Sequence, residues 1–397
     1  MNSRKRYIGW LLGSMLMLLF TACHSYEDAP KEKAVLKIYL FAPDNPIVTR
    51  ADVGYVNASS DESAINTLDI WVFEHNDHTL VGYLHLENQT FDSNDQKVVT
   101  MNITDDYAKK DPKPSVDIYV MANVTNLNCG LNFGRETDSS QLDAAKIGHS
   151  GTADFFGLTS LVDAVPDDGL PMSGVLKEQS VGGSAPVFSV AMTNKVKLVR
   201  AVSKVRFILS KSNSNPPDVS DLSIKFNDGM VPTNEYLFLS GAYPTVLAHV
   251  DNEDNDSYES GENNKVLVSG IGIGGINDCA DPASYEWRSV GHESETAQEY
   301  EERIDGGVNA DDLSQVGLFY LRESDKKITG TITYTLGTGE SAIQKTVPFE
   351  MATAGDFTRN HTWIVYGYFL GNGDLVLSQV LRLPWDDNNE SDKVYNW

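Results

Sequence analysis

The feature that most constrains this chain is an alternation of apolar and polar residues with a period of two. Short runs rich in β-branched and aromatic residues recur between clusters of Asn, Asp, Gly, Ser and Pro, at 68–73, 80–86, 98–103 and 116–121. The pattern returns at 196–209, 316–321, 328–336 and 362–369. Successive side chains of a strand point to opposite faces, so each run lays one apolar row against a core. Only 139–147 and the acidic stretch 293–304 read as helices, and both are short. Helices that do not alternate with strands argue against a parallel α/β sheet and for an all-β sandwich architecture. A chain of 397 residues has room for two such cores. The loop-like 179–186, followed by a long strand from Val196, puts the boundary near residue 195. No internal repeat of solenoid or propeller period is present.

The N-terminus reads as an address. Arg4, Lys5 and Arg6 form a positive region, and 8–20 is an apolar stretch of signal-peptide length, too short to span a bilayer comfortably. Phe20, Thr21 and Ala22 lead to Cys23, an order similar to a bacterial lipobox, in which the Cys thiol receives a diacylglycerol and becomes the first mature residue. The expected organisation is a signal peptide at 1–22, a lipidated propeptide at 23–50, and β-sandwich domains at 51–195 and 196–397.

Charge then excludes several functions. The chain carries 31 Lys and Arg against 56 Asp and Glu, a formal charge of −25. Nucleic acid is not an expected partner, because neutralising phosphates needs a positive face. With 41% hydrophobic and 22% charged residues the composition is not that of a disordered chain. Three cysteines support neither a disulfide scaffold nor a multi-Cys zinc site. Losing the three basic residues of 1–22 takes the charge to −28, and since 23–50 is neutral, all of it belongs to 51–397. Cys129 and Cys279 remain for an exported chain to pair across the two domains, and the sequence leaves open whether they come within reach.

Motifs with chemistry fall away on inspection. Gly270, Gly272 and Gly275 satisfy a dinucleotide pattern, but no helix starts cleanly after them to meet a pyrophosphate. Asp251, Glu253, Asp254 and Asp256 crowd like a calcium loop, with Glu262 in the twelfth position, yet the sixth is Asp256 where a glycine is needed, so a solvated loop is expected. His75 and His78 follow a strand in a turn-like setting and read as a hairpin tip. No nucleophile elbow is present, so no catalytic residue, metal or cofactor is expected, and the chain does not read as an enzyme.

One constellation stands out. In 33–41, Ala34, Leu36, Ile38 and Leu40 lie on one face of a strand and Val35, Tyr39 and Phe41 on the other, so that both faces can be buried. A loop with Pro43 and Pro46 follows, then Thr49, Arg50 and Ala51. Cleavage after Arg50 would free the strand and leave a groove between two unpaired edges, which an extended segment from a neighbour can refill. Leu375, Leu377, Leu381 and Leu383 alternate near the other end and make a candidate donor. The residues by themselves allow the plainer alternative of two ordinary terminal strands and a surface Arg.

An ordered set of segments bears on that choice: Cys23, the first strand with Thr49-Arg50-Ala51, 68–73 (LDIWVF), 170–174 (LPMSG), 198–206 (LVRAVSKVR), 319–324 (FYLRES) and 357–363 (FTRNHTW). In these the chain resembles the FimA-like fimbrillins of Bacteroidales, subunits of type V pili. The resemblance implies two transthyretin-like β-sandwich domains and export as a lipoprotein to the outer membrane. It also implies cleavage after Arg50 by an arginine-specific protease, donor-strand exchange, and residence in a cell-surface fimbrium. The implied partners are other pilus subunits, namely copies of the chain, tip and anchor proteins. A surface lipoprotein that binds glycan or host protein instead predicts an exposed aromatic face, for which Trp71, Trp287 and Trp363 are the tryptophans outside the termini. An exported hydrolase predicts paired carboxylates in a cleft.

Overall fold

The computed structural model describes residues 33–42, 61–92, 96–124, 133–148, 169–212, 218–227, 229–230, 234–239, 266–271, 278–279, 314–384 and 393–396. Strands dominate, as the alternation requires. The first sheet holds β1 (Val35–Phe41), β4 (Gln96–Asn102), β8 (Val181–Ser184), β9 (Val187–Val190) and β10 (Val196–Lys197). The second holds β2 (Ile65–Glu74), β3 (Leu80–Gln89), β5 (Val116–Ala122), β7 (Met172–Gln179) and β11 (Val199–Arg200), in the order β11-β7-β5-β2-β3. The even positions Leu68, Ile70 and Val72 share one buried cluster with Leu36, Ile38 and Leu40, so the two sheets face each other across the first core. The odd positions carry an aromatic layer: the Trp71 ring centroid lies 5.2 Å from Tyr83 and 6.2 Å from Phe133, and Tyr119 lies 5.2 Å from Phe238.

The second core lies between two further sheets. One holds β12 (Ser203–Ser212), β16 (Asp278–Cys279), β17 (Ser314–Leu321), β20 (His361–Phe369), β21 (Leu375–Pro384) and β22 (Lys393–Asn396). The other holds β13 (Val219–Phe226), β15 (Val266–Ile271), β18 (Ile328–Leu336) and β19 (Ile343–Ala352). Val205, Phe207, Trp363 and Val365 from the third sheet meet Ile224, Ile332, Phe349 and Met351 from the fourth, with Phe207 and Phe349 edge-on at 5.1 Å. A short ribbon of β6 (Lys146–Gly148) and β14 (Asn234–Tyr236) joins the two halves, and Leu237 and Phe238 that follow it are buried in the first core.

Three expectations need correction. The apolar run 196–209 is not one strand: its residues form β10, β11 and β12 in three different sheets, and its continuous apolarity reflects burial at each crossing. The helix expected over 139–147 is only α2 (Ser139–Asp143); Asp138 and Gln141 close a capping box at its start, and from Lys146 the backbone pairs with β14. A helix with no strong sequence signal, α1 (Asp105–Lys109), starts on Thr104, whose hydroxyl accepts from the Tyr107 backbone N–H. At Gly174 in β7 a Cβ would stand 2.3 Å from the Lys197 carbonyl oxygen, so glycine there lets the second sheet press against β10 of the first.

Candidate functional site

β1 lies inside its sheet, not at the edge. It runs antiparallel to β4 over its whole length, from Val35 opposite Asn102 to Phe41 opposite Gln96. On its other side two short strands run parallel to it: β9 pairs at Val35, Leu36 and Lys37, and β10 at Leu40 and Phe41. Backbone bonds extend the seam at both ends, from Val35 N–H to the Pro186 oxygen at 2.8 Å and from Leu198 N–H to the Phe41 oxygen at 2.9 Å.

Leu36, Ile38 and Leu40 are fully buried, whereas Val35, Lys37, Tyr39 and Phe41 are half-buried. One face of the strand is therefore dry and the other wet, which corrects the expectation of burial on both. Three side chains of this size contribute about 1.5–3 kcal/mol each by leaving water. Val99 and Met101 of β4, Phe188 and Val190 of β9, and Val196 of β10 belong to the same cluster. These wall residues were not assigned to a groove from sequence, because β9 is a four-residue run behind Pro186 and carries little periodicity. At one end Lys113 holds its ammonium 4.6 Å from the Phe188 ring centroid and donates to the Ala108 carbonyl of α1 at 3.0 Å. Lys195 stands 5.9 Å from the Phe41 ring. What β1 and its neighbours offer chemically is a ladder of backbone donors and acceptors with alternating apolar pockets, a recognition element for an extended chain.

The candidate donor is placed elsewhere. β21 lies between β20 and β22, antiparallel to both. Leu375 and Leu377 are buried in the second core. A register shift follows: Leu377 pairs with Gly367 but Gln379 with Tyr366. Leu375 and Leu377 are thus opposite odd positions of β20, and Leu381 and Leu383 opposite the even positions Ile364 and Thr362. The shift is that of a β-bulge, with Ser378 left without an opposite residue on β20.

His75 and His78 bound the β2–β3 turn, the hairpin tip the spacing suggested; His78 has φ 56°, and His75 Nδ1 is 2.8 Å from Asp117 Oδ1. Trp71 and Trp363 are fully buried, and the Trp71 indole N–H donates to the Gly134 carbonyl at 2.8 Å. Neither of these two lines an exposed aromatic face. Cys23, Arg50, Ala51, Cys129, Trp287, the acidic loop 251–264 and the helix expected at 293–304 lie outside the described residues. Of the glycine pattern 270–275 only Gly270 and Ile271 are described, at the end of β15.

Comparison with known proteins follows this geometry. A family described as "Major fimbrial subunit protein (FimA)" matches residues 34–215, a span that contains all five strands of the first sheet. No curated protein sequence matches the chain. Among solved structures, a proposed cell adhesion protein from Bacteroides eggerthii superposes with a TM-score of 0.53 at 15% identity, over 90% of this chain and 98% of that one. A second, from Parabacteroides distasonis, gives 0.51 at 13% identity, over 90% and 99%. At such identities the superpositions establish a shared fold across both cores. The first sheet thus lies inside the span that is similar to the major fimbrial subunit family, and the two-core fold is shared with these cell adhesion proteins along the chain.

Proposed function

We propose that the chain is a pilus subunit made as a lipoprotein precursor and activated by loss of its first strand. Signal peptidase removes 1–22 and Cys23 carries the lipid that holds the precursor at the outer membrane. An arginine-specific protease then cuts between Arg50 and Ala51. The body that remains, 51–397 with domains meeting near residue 195, enters a cell-surface fimbrium that serves adhesion. Its partners are copies of itself and the tip and anchor subunits.

The observation that carries this reading is the placement of β1: an N-terminal strand in the interior of a sheet, with Leu36, Ile38 and Leu40 filling the core between β4 and β9–β10. Its loss exposes two strand edges and three apolar pockets at once, a state that strongly favours capture of another strand. The donor we favour is the segment Leu375–Pro384 of a neighbouring subunit. In an unbulged strand Leu375, Leu377, Leu381 and Leu383 share one face with Gln379, a pattern that matches pockets spaced two residues apart. Service as donor requires that the segment leave β20 and β22.

Mass spectrometry of the N-terminus of surface-exposed protein tests the proposal. A chain beginning at Ala51 is expected, and Arg50→Ala should leave an acylated Cys23 form that does not enter fibres. Fibres assembled from Arg50→Ala protein with its propeptide intact would overturn it.

A further inference from the structure

Four of the sequence segments that mark the family likeness meet at one place. Ser173, Arg200, Ser203, Lys204, Tyr320, Glu323, Thr358, Arg359 and Asn360 converge between the two cores, where Glu62, from the 3-10 turn Asp61–Ser63 that leads into β2, joins them. All but Glu62 come from 170–174, 198–206, 319–324 and 357–363.

Two carboxylates organise the seam. Glu62 Oε2 accepts from the Lys204 ammonium at 2.8 Å and Oε1 from the Tyr320 hydroxyl at 2.6 Å. The Glu62 carbonyl accepts from Arg200 Nε at 3.0 Å, and the same guanidinium reaches Ser63 Oγ at 3.0 Å and Asn360 Oδ1 at 3.3 Å. Glu323 Oε1 accepts from Arg359 Nε and Nη2 at 3.0 and 2.7 Å, and its Oε2 from the Arg359 backbone N–H at 3.2 Å. Arg359 Nη1 and Nη2 also donate to the carbonyls of Leu237 and Tyr236, at 2.8 and 2.6 Å. Those carbonyls sit on the segment that enters the first core, where Ser173 Oγ donates to the Leu237 oxygen at 2.6 Å. Ser203 Oγ bonds the Thr358 carbonyl, and Asn360 N–H the Val202 carbonyl at 2.7 Å. Glu62, Arg200, Lys204, Glu323 and Arg359 are each at most 2% exposed.

Domains within one chain move relative to one another unless their interface forbids it. An apolar seam yields by sliding, since each small displacement loses little. A dry ionic seam does not, because separating one partner strands a charge in a medium that cannot solvate it. We propose that this seam is a charge lock, closed by Glu62 and Glu323, that makes the two cores open only as one unit. The lock lies outside 23–50, so its existence is independent of the proposed cleavage. It gives a role to the buried charged residues of these segments, which the strand-exchange reading leaves unused.

Hydrogen–deuterium exchange of the full chain in increasing urea tests the lock, with peptides from β2 and β20 reporting on the two cores. In the unaltered protein both peptides should lose protection at the same urea concentration. In Glu62→Ala the opening constants of the two peptides should diverge by about a hundredfold or more, the consequence of breaking one buried pair. Should that variant not fold, Tyr320→Phe removes a single hydroxyl and is expected to split them by about threefold to tenfold. Asp143→Ala, at an exposed polar group, should leave them coincident. Separate midpoints in the unaltered protein would overturn the lock. So would variants that lower both midpoints together without parting them, the signature of residues that merely add stability.

Discussion

Strands β1 and β20 both occupy the interior of a sheet, yet they hold their places in different ways. β1 alternates strictly between buried and half-buried positions, and its parallel neighbours touch it in two short, separated stretches. β20 is buried at almost every position on both faces and pairs continuously with β12 on one side and β21 on the other. A strand of the first kind is specified by three pockets and a backbone ladder, which any extended segment with the right alternation reproduces. A strand of the second kind carries Trp363, Ile364, Val365 and Tyr366 in succession and admits no substitute. Exchangeability is thus a matter of how many faces a strand has to satisfy.

The comparison can be broken most severely at the centre of each strand. Ile38→Asp puts a carboxylate into a fully buried pocket of the first core, and we expect a loss of more than about 4 kcal/mol, read as the urea midpoint. Glu323→Gln leaves Arg359 buried without its charge partner at the head of β20, with an expected cost of about 3–5 kcal/mol in the same measurement. Gly174→Ala forces β7 away from the Lys197 carbonyl beside the β1 groove and should cost about 1–3 kcal/mol.

A subtler test uses pH. Burial, reinforced by Arg206 and opposed by Glu62, pushes the Lys204 ammonium down to about 7 from its ordinary 10.5; Arg200 adds to the depression. Between those values the unfolded chain holds a proton that the folded chain has released, so this residue adds stability as pH rises through that window. The difference in unfolding free energy between the unaltered chain and Lys204→Met should therefore move in favour of the unaltered chain from pH 7 to pH 9; a difference that does not vary with pH would count against it. The smallest effect belongs to the wet face of the first sheet. Val98, 55% exposed and opposite Tyr39, should accept Lys within about 0.5 kcal/mol, whereas its buried neighbour Val99 should not.

Much of this was legible beforehand, for a physical reason. Runs of β-branched and aromatic residues between turn-forming clusters made 68–73, 116–121 and 328–336 stand out, and they proved to be β2, β5 and β18; β18 writes its burial into alternate residues, whereas 68–73 and all of β5 are buried on both faces. What was hidden lies where several contacts are made by different parts of the chain. The parallel partners of β1 come from residues 187–197, far along the chain and too short to show a period. Glu62 gave no sign at all, being one acid among 56 whose importance comes from Lys204 and Tyr320 closing on it. The segments 198–206 and 357–363 were visible as strings, but nothing in a string says that Arg200 and Asn360 touch. The register shift in β21 gave little sign either, since the glycine beside it, Gly367, lies on the partner strand β20 opposite Leu377.

The separation of β1 from its partners also sets an order of events in time. As the chain emerges N-terminus first, β4 is the earliest strand that can pair with β1, and it follows within about one domain's worth of synthesis. The parallel edge supplied by β9 and β10 arrives only after the whole second sheet up to β7 has been made. Until then β1 is held on one side alone, and closure of the first core waits on contacts of long sequence separation, a slow step in any fold. The first strand to appear is therefore among the last to be secured, and a helper that shields an open strand edge has its longest working interval there.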